Sequence, residues 1–177
     1  MVTRKDAIGS ESFQRYIRAA EDDDLMVSLQ KNTKKFRKLL KKLPHEKVDY
    51  AYAEGKWTIR ELVQHIIDAE RVFSYRAIWF ARKDPSPLPG FEENDWAVNS
   101  KSGQRKWKDL VNEFEFLRAS TEFMFASFDE EQLLSLGMAS GKTANVAGLG
   151  FVCAGHVEHH IKIIKERYLD KEDKKKK

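Results

Sequence analysis

Apolar residues recur three and four positions apart over four long stretches of this chain, and each recurrence predicts an amphipathic helix. The first covers residues 25–43, with Leu25, Leu29, Phe36, Leu39, Leu40 and Leu43 on one side, Lys34, Lys35, Lys38, Lys41 and Lys42 between them, and Pro44 ending it. The second follows Gly55. Thr58 and Glu61 have the spacing of a capping box, and Leu62, Ile66, Ala69, Phe73, Arg76 and Phe80 carry the stripe to about residue 82. The third spans about 104–128 on Trp107, Leu110, Phe114, Leu117, Thr121, Phe125 and Phe128. The fourth spans about 145–169, and its first turns are built from Ala147, Gly148, Gly150, Ala154 and Gly155. Glycine is a poor helix former, so its use there predicts close approach by another backbone or a ligand.

A shorter helix is predicted over 11–20, with Ser10 or Ser12 as its cap and Asp22–Asp24 as the break before the first long helix. Residues 84–103, which contain Phe91 and Trp96, read as a long loop, and 129–143 as a second irregular segment. Strand signals are nearly absent. The pattern predicts an all-α protein, a four-helix bundle over 25–169, with an N-terminal extension at 1–24 and a solvated tail at 170–177.

Composition agrees with a single packed unit. Of 177 residues, 41% are hydrophobic and 34% charged, which supplies a core and excludes a disordered chain. Cys153 is the only cysteine, which excludes an internal disulfide and fits a reducing compartment. No apolar run approaches the roughly 18 residues of a membrane span, and residues 1–11 lack a signal-peptide core, so a cytoplasmic protein without a membrane partner is expected. The formal net charge is +4, but the tail sets five lysines against Glu172 and Asp173. The rest of the chain is nearly neutral, which argues against a nucleic-acid partner, for which a basic face on the fold is the usual sign. The lysines of 34–42 are accounted for by the cation-favouring C-terminal end of their helix.

The candidate chemistry lies in the histidines. His156 and His160 are four apart and share the side of the fourth helix that carries Ile163 and Ile164, whereas His159 groups with Gly155, Lys162 and Glu166 on the outward side. His65 sits beside the apolar stripe of the second helix. A lone core histidine is usually an inert hydrogen-bonded residue. Three imidazoles on facing helices instead favour a divalent metal, because polar rings buried without a partner are costly. Three neutral imidazoles suit Zn, Ni, Fe or Cu and leave coordination positions open, the pattern of a catalytic site.

Two motifs carry a family resemblance: Gly55 to Arg71 (GKWTIRELVQHIIDAER) and Gly155 to Ile161 (GHVEHHI). Together they resemble the DinB/YfiT superfamily of metal-binding four-helix proteins, and Trp57, Glu61, His65, His156 and His160 match its layout over about residues 25–169. The resemblance implies an up-down-down-up helix order, a metal at one end of the bundle and frequent homodimers. It also implies a small-molecule substrate or low-molecular-weight thiol, since members include thiol-dependent S-transferases, a thiol-dependent isomerase and proteins labelled metal-dependent hydrolases. The extension before Leu25 and the lysine tail depart from the family pattern.

Glu61 and Asp68 flank His65 at i−4 and i+3 and are candidates to orient its ring, although a capping box accounts for Glu61, and a solvated helix face or an ion pair with Arg71 for Asp68, without any such role. Cys153, one turn before His156, is a candidate pocket residue or fourth ligand, although a small buried core side chain is the commoner role for such a cysteine. Trp57, Phe91 and Trp96 are candidate pocket walls. Two functions follow: a metal-dependent hydrolase or thiol transferase, or a non-catalytic metal-binding stress-response or interaction protein.

Overall fold

The computed structural model describes residues 1–169; the tail expected to be solvated lies outside them. The chain order is α1 (Glu11–Ala19), α2 (Leu25–Lys42), α3 (Ile59–Ala81), α4 (Glu93–Asn99), α5 (Trp107–Ala126), α6 (Glu130–Leu134), a hairpin of β1 (Leu136–Ala139) and β2 (Lys142–Asn145), and α7 (Val146–Ile163). α7 runs on as a π-helical stretch over Ile164–Leu169.

The long helices begin where side chains satisfy their free N–H groups. Asp24 Oδ1 accepts from the Val27 N–H at 2.9 Å and opens α2. Leu43, held extended before Pro44, closes it. At α3 the expected capping box forms: Thr58 Oγ1 accepts from the Glu61 N–H at 3.2 Å, and Glu61 Oε2 accepts from the Thr58 N–H at 2.7 Å. Asn145 Oδ1 accepts from the Gly148 N–H at 2.8 Å and opens α7.

α2 and α3 each pack against both α5 and α7, so these two sequence neighbours face each other across the bundle. Paired contacts mark how the helices run past one another. On α2, Thr33 donates to Glu122 and Arg37 pairs with Glu115 of α5, while Lys35 pairs with Glu158 of α7. On α3, Arg71 pairs with Glu113 and Ser74 meets Thr121 of α5. The apolar interior falls into two clusters. One surrounds Leu29, Phe73, Phe80, Leu149 and Phe151, and the other surrounds Phe36, Ile66, Phe114, Val157 and Ile161.

A buried polar group joins all four long helices. The Arg118 guanidinium, 0% exposed, donates to both carboxylate oxygens of Glu70 at 2.8 and 2.6 Å, to Asn32 Oδ1 at 3.2 Å and to the Cys153 carbonyl at 3.2 Å. This fork-on-fork pair ties α5 to α3, because separating the two would leave a buried charge without its partner.

The N-terminal residues are fastened onto α7. A Cβ at Gly155 would stand 1.8 Å from the Tyr16 carbonyl oxygen, and one at Gly148 would stand 2.1 Å from that of Ile8. These two glycines are seven apart, so they share one helix face and form the groove in which the backbone of α1 and its approach segment lie. Asn145 adds to this by accepting from the Ile8 N–H and donating to the Asp6 carbonyl. The close backbone approach expected from the small residues is therefore the docking of α1.

Two expectations need correction. Residues 84–103 are not wholly loop, because they hold α4 and a short 3-10 turn at Ser102–Gln104. α4 buries only Ala97, so no apolar stripe announced it. Residues 129–143 hold α6 and most of the hairpin. Its strands are four residues each, too short for an alternating pattern to register, and its turn uses positive φ at Ser140 and Gly141. Leu88 adds a parallel bridge to Ala139, which ties the segment after α3 to the hairpin.

Candidate metal centre

α3 and α7 bring His65, His156 and His160 together, each 7% exposed or less. His156 Nε2 stands 3.1 Å from His65 Nε2 and 3.0 Å from His160 Nε2, and the possible ligand atoms of the three all lie within 4.8 Å of one another. Three aromatic rings border the group. Trp57 packs on His65 at 4.8 Å between centroids, and Tyr16 and Phe73 meet His156 edge-on at 5.2 and 5.8 Å.

Burial fixes the charge state. It pushes His65 down to about 4, and it holds His156 and His160 well below the ordinary imidazole range, helped by the neighbouring rings. All three are neutral near pH 7, the form that donates a lone pair to a metal.

Hydrogen bonding alone does not satisfy this cluster. A neutral imidazole has one N–H and one in-plane lone pair, yet His156 Nε2 faces two other ring nitrogens. Among the described residues, His160 Nδ1 also has no hydrogen-bond partner, although it is buried. A cation between the Nε2 atoms would satisfy three lone pairs at once, so the donor set fits a metal ion.

Solvent reaches the histidines from two sides. A cleft of about 290 Å³ is bordered by His65 and His156 together with Tyr16, Phe73, Arg76 and Phe91. A second, of about 240 Å³, reaches His160 beside Trp57, Lys56 and Tyr168.

The other residues singled out in the sequence are placed as follows. Glu61 lies in the α3 capping box. Asp68 accepts from Gln64 Nε2 at 3.0 Å and lies 3.6 Å from Arg71, and burial raises its carboxyl. Cys153 is buried, burial pushes its thiol up, and its carbonyl serves Arg118. Phe91 borders the histidine cleft, and Trp96 stacks on it at 4.6 Å from an adjoining apolar groove.

The face of α7 expected to point outward is instead covered by α1 at Gly155, and His159 is half-buried with its ring 5.5 Å from Tyr16. Sequence reasoning missed Tyr16 and gave Arg76 no role. The small residues of α7 announce a close neighbour without naming it, and Arg76 stands in the apolar stripe as an unexplained cation.

The chain is similar to several known proteins. The chain is 28% identical over 135 residues to an Oceanobacillus iheyensis protein named "Putative metal-dependent hydrolase OB0413", covering 75% of this chain and 77% of that one. A Bacillus cereus protein of the same description is 23% identical over 167 residues, covering 86% and 88%. Among solved structures, YfiT from Bacillus subtilis, described as "a probable metal-dependent hydrolase with an unusual four-helix bundle topology", superposes with a TM-score of 0.68 at 16% identity, covering 90% of this chain and 87% of that one. A mycothiol-dependent maleylpyruvate isomerase superposes with a TM-score of 0.65 at 15% identity, covering 77% of this chain and 57% of that one. The family model of the DinB superfamily matches residues 28–164, and the chain belongs to that superfamily.

Proposed function

We propose that His65, His156 and His160 hold one divalent metal ion, with Zn, Ni and Fe as the candidates, and that the protein is a metal-dependent enzyme acting on a small molecule. The observation that carries this reading is the convergence of three buried, neutral imidazole nitrogens beside a solvent-reached cleft. Relatives named as metal-dependent hydrolases support it. When bound, such an ion supplies Lewis acidity, either to a hydrolytic water or to a low-molecular-weight thiol.

The chain's own residues do the rest. The three imidazoles arrive deprotonated, so no proton need leave before they ligate. Tyr16, Trp57 and Phe73 pack on the rings, restrict their rotation and keep bulk water from their flanks. The adjoining cleft supports turnover over simple metal storage.

We also read the bundle as up-down-down-up. Leu25 lies at Gly150 and Lys35 at Glu158, so α2 progresses in the same direction along α7; its contacts with α5 progress in the opposite direction, while those of α3 progress in the same direction along α5.

Elemental analysis of the purified protein beside His160→Ala tests the site. The expected result is about one ion per chain in the wild type and loss of that ion in the variant. A wild-type protein that takes up no metal after reconstitution with Zn, Ni and Fe, or a variant with unchanged content, overturns the proposal.

A further inference from the structure

We infer that the substrate of the histidine cleft is an organic carboxylate, whose reacting end lies at His65 and His156 and whose carboxylate is held by Arg76. The inference rests on the metal-dependent reading above and adds the substrate class.

Three arginines are buried in this protein, and they are not treated alike. Arg118 grips Glu70 through two hydrogen bonds, and Arg60 grips Asp49 through two at 2.6 and 2.9 Å. Arg76 is 4% exposed, yet among the described residues no carboxylate pairs with it. Its Nη2 donates to the Pro89 carbonyl at 2.9 Å and to Ser140 Oγ at 3.0 Å, both neutral acceptors. A buried cation with only neutral acceptors is costly unless an anion completes it. Of the three, Arg76 is also the one that borders the cleft of the histidines.

The spacing says what lies between. Arg76 follows His65 by eleven residues on α3, three turns along one face and about 16 Å of rise. Both residues line the same cleft. Ala69 and Phe73 line the intervening surface and Phe91 stands beside it, so the middle of the ligand meets apolar groups. Arg15 and Lys142 add positive charge at the rim against one acid, Glu93. Arg76 is the one buried cation of the cleft, Arg15 and Lys142 being exposed, so the enclosed end of the ligand meets a single guanidinium, which matches the paired oxygens and single charge of a carboxylate better than a doubly charged phosphate.

The test uses hydroxamates as metal-seeking probes: ω-carboxyalkyl hydroxamates of graded chain length beside neutral alkyl hydroxamates of matching length. Each is titrated calorimetrically into the full-length protein, metal-loaded and metal-free, as wild type, Arg76→Met and Arg76→Lys. The expected result is an optimum length at which the carboxylate tightens wild-type binding by about tenfold to a hundredfold. That advantage disappears in Arg76→Met, persists in part in Arg76→Lys, and leaves the neutral probe unaffected. A wild-type protein with no preference for the carboxylate at any length overturns the inference, whatever the variants do. So does a preference that survives in Arg76→Met. Failure of the metal reading looks different: the neutral probe then binds equally with and without metal, whether or not the carboxylate preference stands.

Discussion

Replacing Gly155 with alanine tests the seating of α1 over the histidine cluster. The added Cβ would lie 1.8 Å from the Tyr16 carbonyl oxygen, 2.6 Å from its carbonyl carbon and 3.0 Å from its Cα. All three obstacles are backbone, so no rotamer change makes room, and α1 must withdraw by about 1.5 Å to restore an ordinary carbon–oxygen contact. Two effects oppose each other. Alanine in a helix gains about 1 kcal/mol over glycine, and overpacking costs about 1–3 kcal/mol. With a rigid obstacle the cost falls at the upper end, so the expected net loss is about 1–2 kcal/mol in urea unfolding. The more diagnostic readout is local. Amides of α1 should lose hydrogen-exchange protection while those of α3 and α5 keep theirs, because Tyr16 is carried by α1 and leaves His156 with it. Gly150→Ala is the internal comparison, since its new Cβ meets the ends of Leu25 and Phe125, which can move. If Gly155→Ala instead stabilises the protein by about 1 kcal/mol and α1 stays protected, only helix propensity is acting, and the docking described above is wrong.

Two further predictions follow from the buried groups. Arg118→Met should destabilise the fold by about 3–5 kcal/mol, because it strands the Glu70 carboxylate, which is 2% exposed. Denaturant unfolding measures this, and a loss below about 1 kcal/mol would mean that Glu70 had found water or another partner. The metal-free protein should lose stability on acidification. The native state holds its clustered histidines neutral while the unfolded chain takes up protons near pH 6.5. Unfolding is therefore favoured as pH falls below about 6.5. With His65 pushed down to about 4, that residue alone contributes about 3 kcal/mol across the interval. Urea midpoints recorded after chelation at stepwise lower pH check it, and a flat profile would refute it.

The parts of this protein legible in its sequence are those governed by helical periodicity. The apolar stripes of α2, α3, α5 and α7 locate the frame, Thr58 and Glu61 locate a helix start, and the four-residue interval from His156 to His160 places two imidazoles on one face. Periodicity says which side of a helix is buried but not against what. The Gly148 and Gly155 groove announced a close neighbour without identifying the Ile8 and Tyr16 carbonyls that fill it. α4 was missed because it buries only Ala97, and the hairpin because it is held by a few specific bonds, such as those of Leu88 to Met138 and Ser140, rather than by a repeating stripe. Arg76 stood in the apolar stripe of α3 from the start; its meaning came only with the absence of the acid that Arg60 and Arg118 each possess.

The diagonal placement of α2 and α3 has a consequence for how the protein is made. During synthesis these two helices emerge after α1 and before α5 and α7, the helices against which both of them pack. The apolar side of α3 stays uncovered until α5 appears, and His65 waits 91 residues for His156. At roughly 5–20 residues per second that is roughly 5 to 18 s on the ribosome. For that interval the growing chain presents a long greasy helix and a lone imidazole. Chaperone capture and premature metal scavenging are therefore hazards set by helix order, and they end only when the last helix closes the bundle.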